Sequence, residues 1–284
     1  MRAALYPNFS KKNALKCARE VCDVLHNADI EVSVSREYRS DFADKDFVFF
    51  EDIDEAVRTA DLFIAIGGDG TILRCAKYLM GTDTKLLGIN TGTLGFMAGL
   101  EADQLDKLSL LKTGDYEISR RMTVDVIIHS SDGDRAYTAL NEVSARSGSF
   151  RICDFNVYSD DYLVGKYRAD GVLFSTPSGS TAYALSAGGP VIEPDLECIE
   201  MTLICPHSLF SRATLFSSER RLRIVDTTGG EDLIVVSVDG EVRGRINEGE
   251  SIEIIRGKSN LNFVNLIGNS FHESLCRKLC RPIK

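Results

Sequence analysis

Leu62-Phe63-Ile64-Ala65-Ile66 is an unbroken apolar run that passes directly into Gly67-Gly68-Asp69-Gly70-Thr71. A strand that is apolar at every position has both faces covered, the condition of a parallel strand inside an α/β sheet rather than of a half-wet antiparallel one. Behind the glycines, Ile72, Cys75, Ala76, Leu79 and Met80 recur at i, i+3, i+4, i+7 and i+8, one apolar helix face. Buried strand, glycine turn and amphipathic helix in this order confine the segment to a wound, Rossmann-like sheet with its turn at the carboxyl edge of the strands.

The flanking residues extend the pattern. Residues 1 to 5 predict a strand, and Ala14, Leu15, Ala18, Val21, Cys22 and Leu25 form a helical stripe. Glu31 to Ser35 alternates as a strand, Ile53 to Ala60 predicts a helix, Lys85 to Ile89 a strand, and a further helix is expected near Ala102 to Lys112. Near residue 118 the texture changes. Val124, Val126 and Ile128 alternate, turns are signalled at Ser131-Asp132-Gly133-Asp134 and Asp160-Asp161, and Leu233 to Val238 and Ile252 to Ile255 continue in kind. Ser270 to Leu279 turns helical again. The expected organisation is an α/β domain over 1–118, an all-β domain over 119–262, and a tail over 263–284 that packs back onto the first domain. There is no internal repeat and no low-complexity linker.

At 284 residues, with 44% hydrophobic and 26% charged, the composition is globular and excludes fibrous and disordered classes. Against 42 acidic side chains stand 33 basic ones, a net charge of −9 that would repel a phosphodiester backbone, so nucleic acid is not an expected partner. No apolar run approaches the roughly 20 residues of a membrane span. The first residues lack the apolar core of a secretory signal, which points to a cytoplasmic protein. Cys17, Cys22, Cys75, Cys153, Cys198, Cys205, Cys276 and Cys280 form no Cys-x-x-Cys pair and are expected as reduced thiols, mostly buried.

The glycine turn suits an anion, because glycines let backbone amides approach phosphate oxygens near a helix N-terminus. A phosphate cradle would avoid the negative charge of Asp69, so this carboxylate either caps the helix or takes part in chemistry. Other phosphate motifs are missing: a dinucleotide fingerprint would need glycine where Leu73 stands, and a P-loop ending at Gly257-Lys258-Ser259 would need one at Ile252. His272-Glu273 opens like a zinc-protease helix, but Cys276 fills the second histidine position, so no protein-held metal is expected. The basic end with Arg277, Lys278, Arg281 and Lys284 is expected as a solvated helix face.

A second signal is the hydroxyl-rich run Asp170-Gly171-Val172-Leu173-Phe174-Ser175-Thr176-Pro177-Ser178-Gly179-Ser180-Thr181-Ala182-Tyr183, continuing to Ser186-Ala187-Gly188-Gly189-Pro190. Neutral donors of this kind bind ribose, amide and phosphate without a basic patch, as an acidic nucleotide-binding protein requires. Asn90 to Phe96 follows a sheet strand and lies on the same carboxyl edge as Asp69. Asn141-Glu142 and Asp239-Gly240, taken singly, read as a strand end and a turn.

In this order, these segments resemble a bacterial NAD kinase over most of the chain. The glycine-aspartate motif is shared with lipid kinases of the diacylglycerol type and is similar to that of phosphofructokinases; the hydroxyl-rich run with Asn141-Glu142 is more specific. The resemblance implies a Rossmann-like N-terminal domain, a C-terminal β-sandwich, NAD in the crevice between them, and a homo-oligomer, dimer or tetramer. It implies that Asp69 accepts the proton of the adenosine 2′-hydroxyl of NAD while ATP or another donor supplies the phosphoryl group, with Mg²⁺ carried by that donor. Gly70, Arg74, Asn90, Phe96, Asn141, Glu142, Arg168, Asp170, Thr181, Ala182, Tyr183, Ser186 and Asp239 are the implied ligand-binding residues. Glu241 departs from the glutamine frequent in the family, two positions after Asp239. A lipid kinase and a non-catalytic NAD-binding regulator are the alternatives, and polyphosphate as donor and NADH as acceptor stay open.

Overall fold

A computed structural model of the chain describes residues 1–11, 13–43, 47–92, 95–149, 151–208, 211–229, 234–268 and 271–279. Thr93, Leu94, Leu233, Ser270, Cys280, Arg281 and Lys284 lie outside the described residues, as do the side chains of His272, Glu273 and Lys278. The chain divides into two compact units, Met1–Arg120 with Leu261–Lys284, and Arg121–Asn260.

The first unit is a mostly parallel sheet of alternating strands and helices, all expected except β3, which the sequence reading did not foresee: β1 (Arg2–Pro7), α1 (Ala14–Asn27), β2 (Glu31–Ser35), β3 (Val48–Phe50), α2 (Ile53–Thr59), β4 (Leu62–Gly67), α3 (Asp69–Leu79) and β5 (Lys85–Asn90). The strands run in the order β3-β2-β1-β4-β5, so the winding direction reverses between β1 and β4. β4 is buried along its whole length, as its sequence requires. The stripe on α1 (Ala14, Cys17, Ala18, Val21, Cys22, Leu25) and that on α3 (Ile72, Cys75, Ala76, Leu79) are the buried faces of those helices.

Two further features differ from expectation. The helix foreseen near Ala102 to Lys112 begins only at Leu105, as a 3₁₀ turn over Leu105–Ser109 followed by a single α-turn over Leu110–Thr113. Leu105, Leu108 and Leu111 are buried at a spacing of three, which a 3₁₀ turn aligns on one face. An unforeseen strand, Leu261–Asn265, pairs in parallel with β5. With partners on both sides it needs no apolar alternation strong enough to be read in isolation.

The second unit holds two six-stranded sheets, antiparallel in every strand pairing, that share one core. Val124, Val126, Phe155, Ile224 and Ile252 of one sheet meet Val143, Val172, Phe174, Met201 and Val236 of the other. This is a sandwich built from period-two strands. The outer face of the second sheet is covered by the hydroxyl-rich segment, where Ala184 packs on Leu173 and Ile204.

Candidate functional site

In the first unit, the turn after β4 makes Gly68 the N-cap of α3, and no side chain caps it. Asp69 is therefore not the cap. Its carboxylate faces the loop after β5, where Oδ2 accepts a hydrogen bond from the Phe96 amide at 2.9 Å and Oδ1 one from the Met97 amide at 3.1 Å. Gly95 allows this approach, since a Cβ there would overlap Asp69 Oδ1. The carboxylate is half-buried and held in orientation, and its oxygens can accept more than one bond each, so a hydroxyl donor remains chemically admissible.

Asn90 is 1% exposed and its side chain is engaged internally. Nδ2 donates to Glu101 Oε2 at 2.8 Å, and Oδ1 accepts from the Gly92 amide at 3.2 Å. Its observed work is to fix the start of the loop that reaches Asp69. Gly70 and Arg74 are exposed on the first turns of α3.

In the second unit, a two-residue hairpin turn puts Asp239 in the left-handed region, φ 47°, followed by Gly240 at φ 78°. Oδ1 of Asp239 accepts from the amides of Asn141 (2.8 Å) and Glu142 (3.2 Å), and Oδ2 from that of Leu140 (3.1 Å). Asp239 thus acts as a clamp on the Asn141-Glu142 backbone. The hydroxyl-rich segment is seated on the same residues: the Thr176 amide donates to Asn141 O at 2.9 Å, and Thr176 Oγ1 donates to Leu140 O at 2.5 Å. Gly179 lies so close that a Cβ would overlap Asn141 O.

Asn141 and Glu142 are both buried, yet among the described residues nothing hydrogen-bonds to Asn141 Oδ1 or Glu142 Oε2. Buried polar atoms in native proteins are nearly always paired, so these two neighbouring acceptors are open to a donor from outside the chain, water or ligand. Burial, with the nearby Asp239 charge, pushes the Glu142 carboxyl up to about 7.

The covering segment runs along the sheet from this point. The strands Glu142–Ser147 and Gly171–Ser175 pair from Glu142 against Ser175 at one end to Arg146 against Gly171 at the other, roughly 14 Å of strand. Thr181 and Ala182 lie between, half-buried, and the Tyr183 ring stacks under the Arg146 guanidinium at 5.8 Å. Ser186 and Asp170 are exposed, the latter held by its amide bond to Ile204 O. Arg168 is exposed and pairs with Asp154 at 3.7 Å. Asn141 and Glu142 thus stand at one end of a track, and Tyr183 and Asp170 at the other.

Sequence reasoning missed Glu200, which is fully buried and accepts from Ser175 Oγ (3.0 Å) and Thr202 Oγ1 (2.6 Å) beneath the hydroxyl-rich segment. Burial raises its carboxyl. Arg146 was missed too; its period-two relation to Glu142, on the face turned from the core, was the available signal. Among the described residues no group of three or more His, Cys, Asp or Glu converges on a point where a metal would sit. Cys17, Cys22, Cys75 and Cys153 are buried free thiols, whereas Cys205 and Cys276 are exposed. No helix of the described residues is long and apolar enough to cross a membrane.

Two family models match this chain: the ATP-NAD kinase N-terminal domain over residues 4–112 and the ATP-NAD kinase C-terminal domain over residues 140–266. The chain belongs to the ATP-NAD kinase family. It is accordingly a kinase, a transferase of the NAD kinase class. An NAD kinase of Christiangramia forsetii is 33% identical over 288 residues, covering 98% of this chain and 97% of that protein. One from Moorella thermoacetica is 32% identical over 281 residues, covering 98% and 89%. The crystal structure of yeast NADH kinase complexed with NADH shares the fold, with a TM-score of 0.90 at 23% identity over 100% of this chain and 90% of that one. An NAD kinase from Archaeoglobus fulgidus in complex with ATP has a TM-score of 0.72 at 26% identity, covering 93% of each.

Proposed function

We propose that the protein transfers the terminal phosphoryl group of ATP to the 2′-hydroxyl of the adenosine ribose of NAD, yielding NADP and ADP. The hydroxyl oxygen attacks phosphorus, the bond to the ADP oxygen breaks, and the hydroxyl proton passes to Asp69. A carboxylate in that role contributes about 10²–10⁴-fold. Mg²⁺ enters on the donor's phosphates as part of that substrate and supplies positive charge to the transferring group.

The buried, unpartnered Asn141 Oδ1 and Glu142 Oε2 are the observation that carries the reading. They suit an amide or hydroxyl donor of a nucleotide, and the track from there toward Thr181, Ala182, Tyr183, Ser186, Asp170 and Arg168 has the length of a dinucleotide rather than of one small polar group. Gly70 and Phe96 flank the reacting hydroxyl and Arg74 faces the donor. Asn90 and Asp239 act by positioning the loops they hold.

The chain acts as a homo-oligomer, dimer or tetramer. In support, Tyr162 (79% exposed), Leu163 and Val164 lie on a sheet-edge strand, Tyr162–Ala169, an apolar edge that pairing would cover. Free thiols at Cys205 and Cys276 suit a reducing cytoplasm.

The deciding experiment mixes protein, NAD, ATP and Mg²⁺ and measures NADP with an NADP-specific dehydrogenase. NADP formation is expected; retained NAD binding with no NADP would instead favour the regulator. Parallel arms with tripolyphosphate and with NADH define donor and acceptor range, and light scattering gives the oligomer size.

A further inference from the structure

Glu142, Ser175 and Glu200 stand in one row across three strands of the second sheet of the sandwich. Glu142 is opposite Ser175 in one ladder and Ser175 is opposite Glu200 in the next, so the three side chains share the outer face of the sheet. Directly opposite residues have Cβ atoms about 4.5–5.5 Å apart, which puts the Ser175 hydroxyl within reach of both carboxyl groups. All three residues are buried. A serine hydroxyl has one proton to give. Here it goes to Glu200: Ser175 Oγ donates to Glu200 Oε2 at 3.0 Å, while Glu142 Oε2 is left without a donor.

Glu200 is fixed from its other sides as well. Thr202 Oγ1 donates to Oε1 at 2.6 Å, and Gly189 of the covering segment lies so close that a Cβ there would overlap Oε1. Across the next ladder its neighbour is Leu215, which carries no charge. The titratable group beside it on its own strand is the Cys198 thiol, which burial and the Glu200 charge push up. Two donated hydroxyls favour the ionised carboxylate against the burial that raises it. Glu142 is raised by burial first and by the Asp239 charge second. Glu200 therefore reaches Glu142 through the Ser175 hydroxyl and not through its own charge.

We propose that Glu200 is a positioning residue for the dinucleotide: it holds the Ser175 proton away from Glu142 and so keeps Glu142 Oε2 open to a donor from NAD. Without the Glu200 carboxylate, Ser175 turns its one proton to the buried acceptor on its other side, and the ligand has to displace it. The assignment rests on the NAD reading of Glu142 given above and adds a residue that acts without touching the ligand.

The test compares the full chain with Glu200→Gln and with the double variant Glu200→Gln, Ser175→Ala, by calorimetric NAD binding and by urea unfolding across pH. An NH₂ in place of Oε1 would press its hydrogens on the Gly189 Cα–H, so glutamine keeps its oxygen toward Thr202 and turns its NH₂ to Ser175 Oγ. The Ser175 proton is then released to Glu142. Glu200→Gln should bind NAD about tenfold more weakly, the scale of one hydrogen bond to a charged group. Its rise in affinity should come at a pH below about 7. Adding Ser175→Ala removes the competing proton and should bring binding back to within about twofold of the parent, whereas two residues that only support the fold would lose affinity additively. In urea, the double variant should lose more stability between pH 4.5 and about 7 than Glu200→Gln does, because its Glu142 is again without a donor and stays raised in the folded state. Unchanged NAD affinity in Glu200→Gln, or a double variant that binds more weakly still, overturns the proposal while NAD binding by the parent stands. If the double variant does not fold, the affinity rise of Glu200→Gln decides: a shift to lower pH supports the proposal and no shift overturns it. A parent that does not bind NAD overturns the NAD reading, and the urea comparison then decides where the Ser175 proton goes.

Discussion

The Glu142 amide donates to Asp239 Oδ1 at 3.2 Å, which brings two carboxylates into one buried corner where only one is well supplied with donors. Asp239 takes three backbone amides, while Glu142 is left with an orphan oxygen and a carboxyl raised from 4.5 to about 7. The folded protein therefore keeps the Glu142 proton at pH values where the unfolded chain has lost it. Stability falls as pH rises from about 4.5 to about 7 and is level above that. Glu142→Gln should match the parent below pH 4.5 and exceed it above pH 7 by up to about 3 kcal/mol. Urea titrations across that range check the difference.

If NAD hydroxyls donate to Glu142, as proposed above, they favour its ionised form, so the same residue gives a binding prediction of opposite sign. NAD affinity should tighten as pH rises through about 7. Glu142→Gln should bind NAD more weakly and lose this dependence. Calorimetry in buffers of different ionisation enthalpy would report the proton released on binding.

Asp69→Asn should lower kcat by about 10²–10⁴-fold with little change in the KM for NAD. Both carboxylate oxygens accept loop amides, so one of the two must face the asparagine NH₂ instead. A stability loss of about 1–2 kcal/mol should accompany the rate loss. Turnover near that of the parent would remove Asp69 from the chemistry.

Asp239→Ala should destabilise the second unit by about 3 kcal/mol or more. It strands the amides of Leu140, Asn141 and Glu142 and puts alanine at φ 47°. Asn tolerates that backbone and keeps one acceptor, so Asp239→Asn should lose less. Chemical denaturation of the pair gives the ordering.

Gly179→Ala drives a Cβ into Asn141 O, backbone against backbone, with no flexible side chain to yield. A loss of about 1–3 kcal/mol in thermal unfolding is expected, with NAD affinity falling in step because the covering segment is lifted from Asn141.

Local pattern carried the strand–turn–helix at Leu62 to Leu79, the α1 stripe and the period-two strands of the sandwich. In each of these, burial of one face or one run is dictated by neighbours along the chain. The strand Leu261–Asn265 was not legible, because its place is fixed by β5, far away in sequence. Nor was the division of labour among carboxylates. From sequence, Asp69 stands out by its glycine turn, but nothing there tells how many donors Asp69, Glu142, Glu200 and Asp239 each meet. Folding gives Asp69 two loop amides, Asp239 three buried amides, Glu200 two hydroxyls and Glu142 an orphan oxygen, since how many donors a carboxylate meets depends on which distant backbone is brought against it.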